Sequence, residues 1–293
     1  MSDRPVIKPP VWTWEIPVYF YVGGLAGSSA ALSRLAEASG NRVLARRASA
    51  VAAAGAVAGP ALLISDLGRP ERFLHMLRMF KVTSPMSIGS WILAGFGAAI
   101  TAGAADHAVG GRIAGGRPAR TAAAVLGLPL SAYTAALVAN TAVPAWHESR
   151  RMLPFVFVSG AAASAGGALS ALTPIAAASP ARRLAVAGAA TEIVFTETME
   201  HRLGDLSDAY RDGVAHWLGL AARAALAAGA ATIAIGGRRS RATALAGGLL
   251  INGGALLARW SVYKAGFQSA RNPRHTVAPQ RDRAARRRGV SQP

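Results

Sequence analysis

The chain has 293 residues, carries a formal net charge of +18, is 52% hydrophobic but only 16% charged, and contains no cysteine. A soluble domain carries about a quarter charged residues, so this composition excludes an ordinary soluble fold, and the lack of cysteine excludes disulfides and cysteine-held iron–sulfur clusters within the chain. The positive balance comes from arginine in short connections and in the tail Arg271–Arg288, which suits headgroup-facing charge rather than nucleic-acid binding, because no aromatic-interleaved basic domain stands outside the apolar runs.

Met1–Pro10 holds an acid and prolines and no small-residue cleavage site, so it reads as a lead into the first span and not as a secretory signal. Four stretches, Val82–Ala105, Thr121–Trp146, Met152–Ala181 and Ala242–Ala258, contain no Asp, Glu, Lys or Arg. A membrane helix needs about 20 mostly apolar residues. The pattern divides into eight spans: Trp14–Leu35, Val43–Ser65, Ser87–Val109, Arg120–Val143, Met152–Pro174, Ala181–Leu203, Val214–Gly236 and Arg241–Lys264. Short connections contain Pro or Gly, as at Gly110–Gly111, Gly115–Gly116, Pro144, Pro180 and Gly236–Gly237. The predicted fold is an all-α integral membrane protein, a bundle of eight transmembrane helices over 1–265, followed by a basic C-terminal tail over 266–293. Eight spans put both termini on one side. Loop arginines nearly tie between the sides, and the basic tail decides for termini in the cytoplasm, within the cell membrane.

Between the second and third spans lies a charged segment, Ser65–Trp91, with a Gly68-Arg69-Pro70 turn, a short amphipathic run and a second turn at Ser84-Pro85. Such a segment belongs at a membrane surface or against protein. Its Arg69, Arg72, His75, Arg78 and Lys81, with His147 further on, form a candidate partner-docking face.

Ionisable residues inside a span cost about 2.5–3.5 kcal/mol each on insertion scales, so each needs a reason. Glu192, Glu197 and Glu200 fall in span six and Arg223 in span seven, where a hairpin levels Arg223 with Glu192 or Glu197. Two readings stay open: a structural ion pair, or a protonatable chain within the membrane. Glu15 and Asp66 sit at span ends, and Tyr133 lies some ten residues inside span four, at about 15 Å depth by helical rise. Trp12, Trp14, Tyr19 and Tyr21 have the pattern of an interfacial aromatic belt. His75, His147, His201 and His275 fall in loops or at span ends, His107 closes span three and His216 opens span seven. No two histidines share mid-membrane depth, which argues against haem b.

Taken in order, these residues resemble the NrfD/PsrC family, membrane subunits of polysulfide-reductase-like molybdoenzyme complexes. The resemblance is carried by Trp12-Thr-Trp14-Glu15-Ile-Pro17-Val-Tyr19-Phe20 with Gly23-Gly24 and Gly27, and by Asp66-Leu-Gly-Arg69-Pro70 with Arg72-Phe73. Ser84-Pro85-Met86-Ser87 with Gly89-Ser90-Trp91, Tyr133, and Thr141-Ala-Val-Pro144 with Trp146-His147-Glu148 continue it. Tyr263-Lys264-Ala-Gly266-Phe267 with Ser269-Ala270 and Arg271-Asn-Pro273 complete it. It implies an eight-helix subunit with no bound redox cofactor. That subunit passes electrons between a ferredoxin-like 4Fe–4S iron–sulfur partner and an exchangeable menaquinone or ubiquinone, while a molybdopterin subunit does the distal chemistry. By position, the resemblance puts Trp14, Glu15, Tyr19, Asp66 and Tyr133 at the quinone pocket. The alternative reading is a proton- or solute-conducting transporter built on the acids of span six, Glu192, Glu197 and Glu200, with Arg223.

Overall fold

The computed structural model describes residues 7–8, 10–69 and 71–272; the tail beyond Asn272, with His275, and the stretch Met1–Val6 lie outside the described residues. The chain runs through α1 (Glu15–Ala38), α2 (Arg42–Leu67), α3 (Glu71–Met76), α4 (Pro85–Ala108), α5 (Gly116–Ala139), α6 (Pro144–Glu148), α7 (Leu153–Leu172), α8 (Ser179–Arg202), α9 (Asp208–Arg211), α10 (Gly213–Gly236) and α11 (Arg241–Arg271). Two short 3₁₀ turns, Ser149–Arg151 and Gly204–Ser207, flank the loops. No strand occurs among the described residues.

Six of these helices, α2, α4, α5, α7, α10 and α11, are long and apolar enough to cross a membrane. The two remaining long helices, α1 and α8, have 24 residues each but a more polar composition. In α1 the reason is position. It packs against α2, α5, α7 and α11, so glycine, serine and tyrosine meet protein instead of lipid. In α8 the reason is charge, from Arg182, Arg183, Glu192, Glu197, Glu200 and Arg202.

Local chemistry explains where several helices begin and end. Asn41 accepts from the Leu44 N–H at 3.1 Å to cap α2. Ser84 accepts from Ser87 N–H at 3.4 Å ahead of Pro85 at the first turn of α4. Gly68, at φ 66°, ends α2 in the left-handed conformation that glycine adopts without strain. Sequential hairpins α1–α2, α4–α5, α7–α8 and α10–α11 pair antiparallel, and α1, α5, α7 and α11 join them into one bundle.

Charged side chains lock the end of the bundle away from the termini. Arg120 of α5 pairs with Glu37 of α1 at 2.7 Å and with Asp106 of α4, which is 1% exposed. Asp106 also accepts from the Ile113 N–H at 2.9 Å, tying the α4–α5 turn to the same cluster.

Midway along, α1 and α5 touch backbone to backbone. A Cβ on Gly27 would run into the carbonyl of Gly127, and one on Gly127 would meet the Gly27 carbonyl in turn. A Cβ on Gly23 of the same helix meets nothing within 4 Å. Gly23→Ala is therefore expected to be neutral or to stabilise by up to about 1 kcal/mol through helix propensity. Gly27→Ala is expected to destabilise by about 1–3 kcal/mol through overpacking. Thermal unfolding of the two variants in detergent checks the difference in sign.

Candidate functional site

At the termini end, α1 and α2 bring two acids to one hydroxyl. Thr13, just ahead of α1, donates through its hydroxyl to Glu15 and lies 2.7 Å from Asp66 Oδ1, which also accepts from the Thr13 N–H at 3.2 Å. Ser65 donates to the second Glu15 oxygen at 3.3 Å. A hydroxyl carries one proton, so Thr13 donates to one acid at a time, and the other contact is a hydrogen bond only when its carboxyl is protonated.

Tyr19 stands one helical turn beyond Glu15, about 6 Å deeper. It is 1% exposed, and its hydroxyl is hydrogen-bonded to that of Tyr133 on α5, which is half-buried. Gly89 of α4 makes this possible, because any Cβ there would collide with the Tyr133 ring. The depth of Tyr133 needs correction. α5 stops at Ala139, and Pro144 opens the separate helix α6, so Tyr133 lies six residues from the end, at about 9 Å. Trp14 does not join this group: it is 57% exposed at the N-cap of α1.

The aromatic belt is partly interior. Trp12 stacks on the fully buried Trp146 with ring centroids 5.4 Å apart, and Trp146 donates its indole N–H to the Val262 carbonyl at 2.7 Å. Tyr263 donates to the Trp12 carbonyl at 2.6 Å, and Phe267 packs between Trp146 and Tyr263. Tyr21 turns to the other side of α1 and donates to Asn252 of α11 at 2.7 Å.

The acids of α8 separate into two groups. Arg223 of α10 pairs with Glu200 at 2.8 Å and Glu197 at 3.3 Å. It does not pair with Glu192. That acid, 1% exposed, pairs with Arg259 of α11 at 3.2 Å, a residue 2% exposed that the sequence reading overlooked. Arg259 also donates to the Phe157 carbonyl at 2.9 Å and covers the Phe157 ring at 4.2 Å. Gly160 leaves the room, since a Cβ there would strike both partners. The signal that pointed to Arg259 was its place directly after the uncharged run Ala242–Ala258, well before the end of α11 at Arg271.

A cavity of about 20 Å³ lies between the two groups, bordered by Glu192, Glu200, Arg223, Tyr210, Ser261 and Thr196. That is room for a single water, and its lining offers the polar partners a water needs. The second oxygen of Glu192 and Nε of Arg259 are buried without a partner among the described residues. Burial pushes the Tyr210 phenol, on the connecting helix α9, above its ordinary range, so it stays a neutral hydroxyl. The tyrosine pair and the ion pair are joined by packing: Tyr19 to Phe20 at 6.4 Å between centroids, Phe20 to Phe157 at 5.8 Å, and Phe157 to Arg259.

The segment after α2 folds onto α4. Ser87 donates to the Met79 carbonyl at 2.9 Å and accepts from Lys81 N–H at 3.0 Å, while Phe80 meets Trp91 edge-on at 6.1 Å. Arg69, Arg72, His75, Arg78 and Lys81 are all exposed, and so are the apolar Met79, Phe80, Val82 and Met86. His147 is half-buried on α6, which packs against α11 and α5.

Removing one member of a buried ion pair leaves an uncompensated charge, at about 3–5 kcal/mol. Arg259→Gln is accordingly expected to lower the unfolding temperature and yield in detergent, and Glu192→Gln/Arg259→Gln to recover much of the loss. Thermal unfolding of the single and double variants checks both.

No curated protein matches the chain. A family match covers α1 to α3 and most of α4, and with them Glu15, Tyr19 and Asp66, but neither Tyr133 nor the acids of α8. Residues 5–105 match the family described as polysulphide reductase, NrfD, so the first third of the chain is similar to that family, in agreement with the resemblance carried by its motifs.

Proposed function

We propose that this multi-pass membrane protein is the quinone-reactive subunit of a molybdopterin and iron–sulfur oxidoreductase complex, with α1 and α8 crossing the membrane beside the six apolar helices. The observation that carries the reading is the convergence of Glu15, Asp66, Tyr19 and Tyr133 at one end of the bundle. Reducing a quinone takes up two electrons and two protons, so its site needs a hydroxyl donor at the carbonyl and acids that exchange protons with water. Tyr133, half-buried, donates to the carbonyl in this reading, and the buried Tyr19 holds its hydroxyl in place. Glu15 and Asp66, partly exposed and joined through Thr13, carry protons between solvent and that hydroxyl pair. Menaquinone or ubiquinone is the exchangeable substrate.

The exposed basic and apolar side chains of the segment between α2 and α4 support docking of an acidic, ferredoxin-like iron–sulfur subunit at the same end. Interfaces of this kind combine apolar contact area with charge that speeds encounter. Electrons then travel between a cluster in that partner and quinone near Tyr133. The cavity beside Glu192 supports a second element, in which Glu192, Glu197 and Glu200 carry protons through the bundle as quinone turns over, while Arg223, always charged, holds Glu197 and Glu200 in place. The same cavity is what a proton-conducting transporter without redox partners would need. Co-purification of an iron–sulfur protein separates the two.

Tyr133→Phe is expected to lower quinol-linked turnover of the purified complex by about tenfold or more, as the loss of one oriented donor does, while leaving assembly and artificial-dye activity intact. Unchanged quinol kinetics would return Tyr133 to a packing role. Reversing charge at Arg69, Arg72 and Arg78 is expected to slow association of the iron–sulfur partner, with a deficit that shrinks as salt rises. Salt-dependent association rates measured on the reconstituted complex check this.

A further inference from the structure

At the opposite end of the bundle, a groove of about 390 Å³ opens between the start of α8 and the end of α10. Arg182, Arg183 and Arg238 stand at its mouth, and Val186, Ala190 and Ile233 line its wall. Val186 and Ala190 follow Arg182 at one and two helical turns, so the wall runs about 12 Å along α8 from the charged mouth. Arg182 is held in place. It is 9% exposed, uses one N–H on the Ile175 carbonyl at 3.0 Å, and lies against Gly237, where a Cβ would come within 3.2 Å of its Cδ. Arg183 and Arg238 are exposed. The Arg238 charge acts on Arg182, no carboxylate lines the groove, and none of the three arginines joins an ion pair among the described residues.

Three guanidinium groups gathered without a counter-charge repel one another, and a phosphate relieves that repulsion with several N–H donors at once. The apolar wall beneath them decides the kind of phosphate, because a free ion makes no use of it, whereas a diester carrying an acyl chain fills both halves. We propose that this groove binds one anionic glycerophospholipid, its phosphate between Arg182, Arg183 and Arg238 and one acyl chain along Val186, Ala190 and Ile233. The lipid would then close the seam between α8 and α10 at the end where no side-chain bond joins them through these arginines. The site is separate from the residues proposed for quinone and protons, so its fate does not depend on that reading.

The test is native mass spectrometry of the delipidated full-length chain in detergent, offered phosphatidylglycerol or phosphatidylcholine. Phosphatidylglycerol is expected to be preferred by about twentyfold or more, with Arg183→Gln/Arg238→Gln lowering the preference by about twentyfold and Arg238→Gln alone by about fivefold. Both substituted positions are exposed, and an unchanged melting temperature without lipid verifies the fold. Arg46→Gln/Arg47→Gln, at another basic connection on the same end, is expected to keep the preference, and millimolar inorganic phosphate to leave the lipid bound. Four results would overturn the assignment: no headgroup preference in the native chain, an undiminished preference in the groove variants, an equal loss in the Arg46/Arg47 control, or displacement of the lipid by phosphate.

Discussion

A charge enclosed among helices must be answered by another helix, and the pairing of Glu192 with Arg259 is where this bundle meets that demand most fully. Neither residue has access to solvent, and each would be costly alone. Together they fix α8 against α11 at one rotation and one depth. The neighbouring bonds follow from that placement: Glu197 and Glu200 then face α10, where Arg223 reaches them, and the gap between the groups becomes a cavity for one water. The two buried acids of α8, Glu192 and Glu200, are thus both paired inside the protein.

The same logic makes α1 the centre of the molecule. Its tyrosines face different neighbours, Tyr19 toward α5 and Tyr21 toward α11, and Gly27 lets it lie directly on α5. Phe20 and Phe157 fill the space between the tyrosine pair and Arg259. These rings conduct no protons. They do transmit position, so a shift of Tyr19 against Tyr133 has to be accommodated at Phe157 and at the guanidinium stacked on it.

Much of the fold was legible in sequence because lipid exposure demands long uncharged runs, and those runs locate α4, α5, α7 and most of α11 well. The acids at the ends of the first two helices were legible for the same reason, as charges interrupting apolar sequence. Tyr133 was placed too deep because Asn140 and Pro144 break the helix before the apolar run ends, and periodicity does not register that break. Arg259 went unnoticed, although the eighth span Arg241–Lys264 already enclosed it, because a basic residue so close to Lys264 resembles a span terminus. The Glu37–Arg120–Asp106 cluster joins residues up to 83 positions apart, and no local pattern announces such a pairing.

The aromatic cluster at the termini end has a consequence for biogenesis. Trp12 precedes α1, Trp146 lies in α6, and Tyr263 and Phe267 belong to α11, which is made after both. Helices inserted one after another therefore leave this corner unfinished until α11 has entered the membrane. Until then Trp12 and, once it is made, Trp146 lack their partners Tyr263 and Phe267, a transient exposure of apolar surface of the kind that favours misassembly. Closure of the corner marks the arrival of α11, and a chain stopped before that helix would carry an open one.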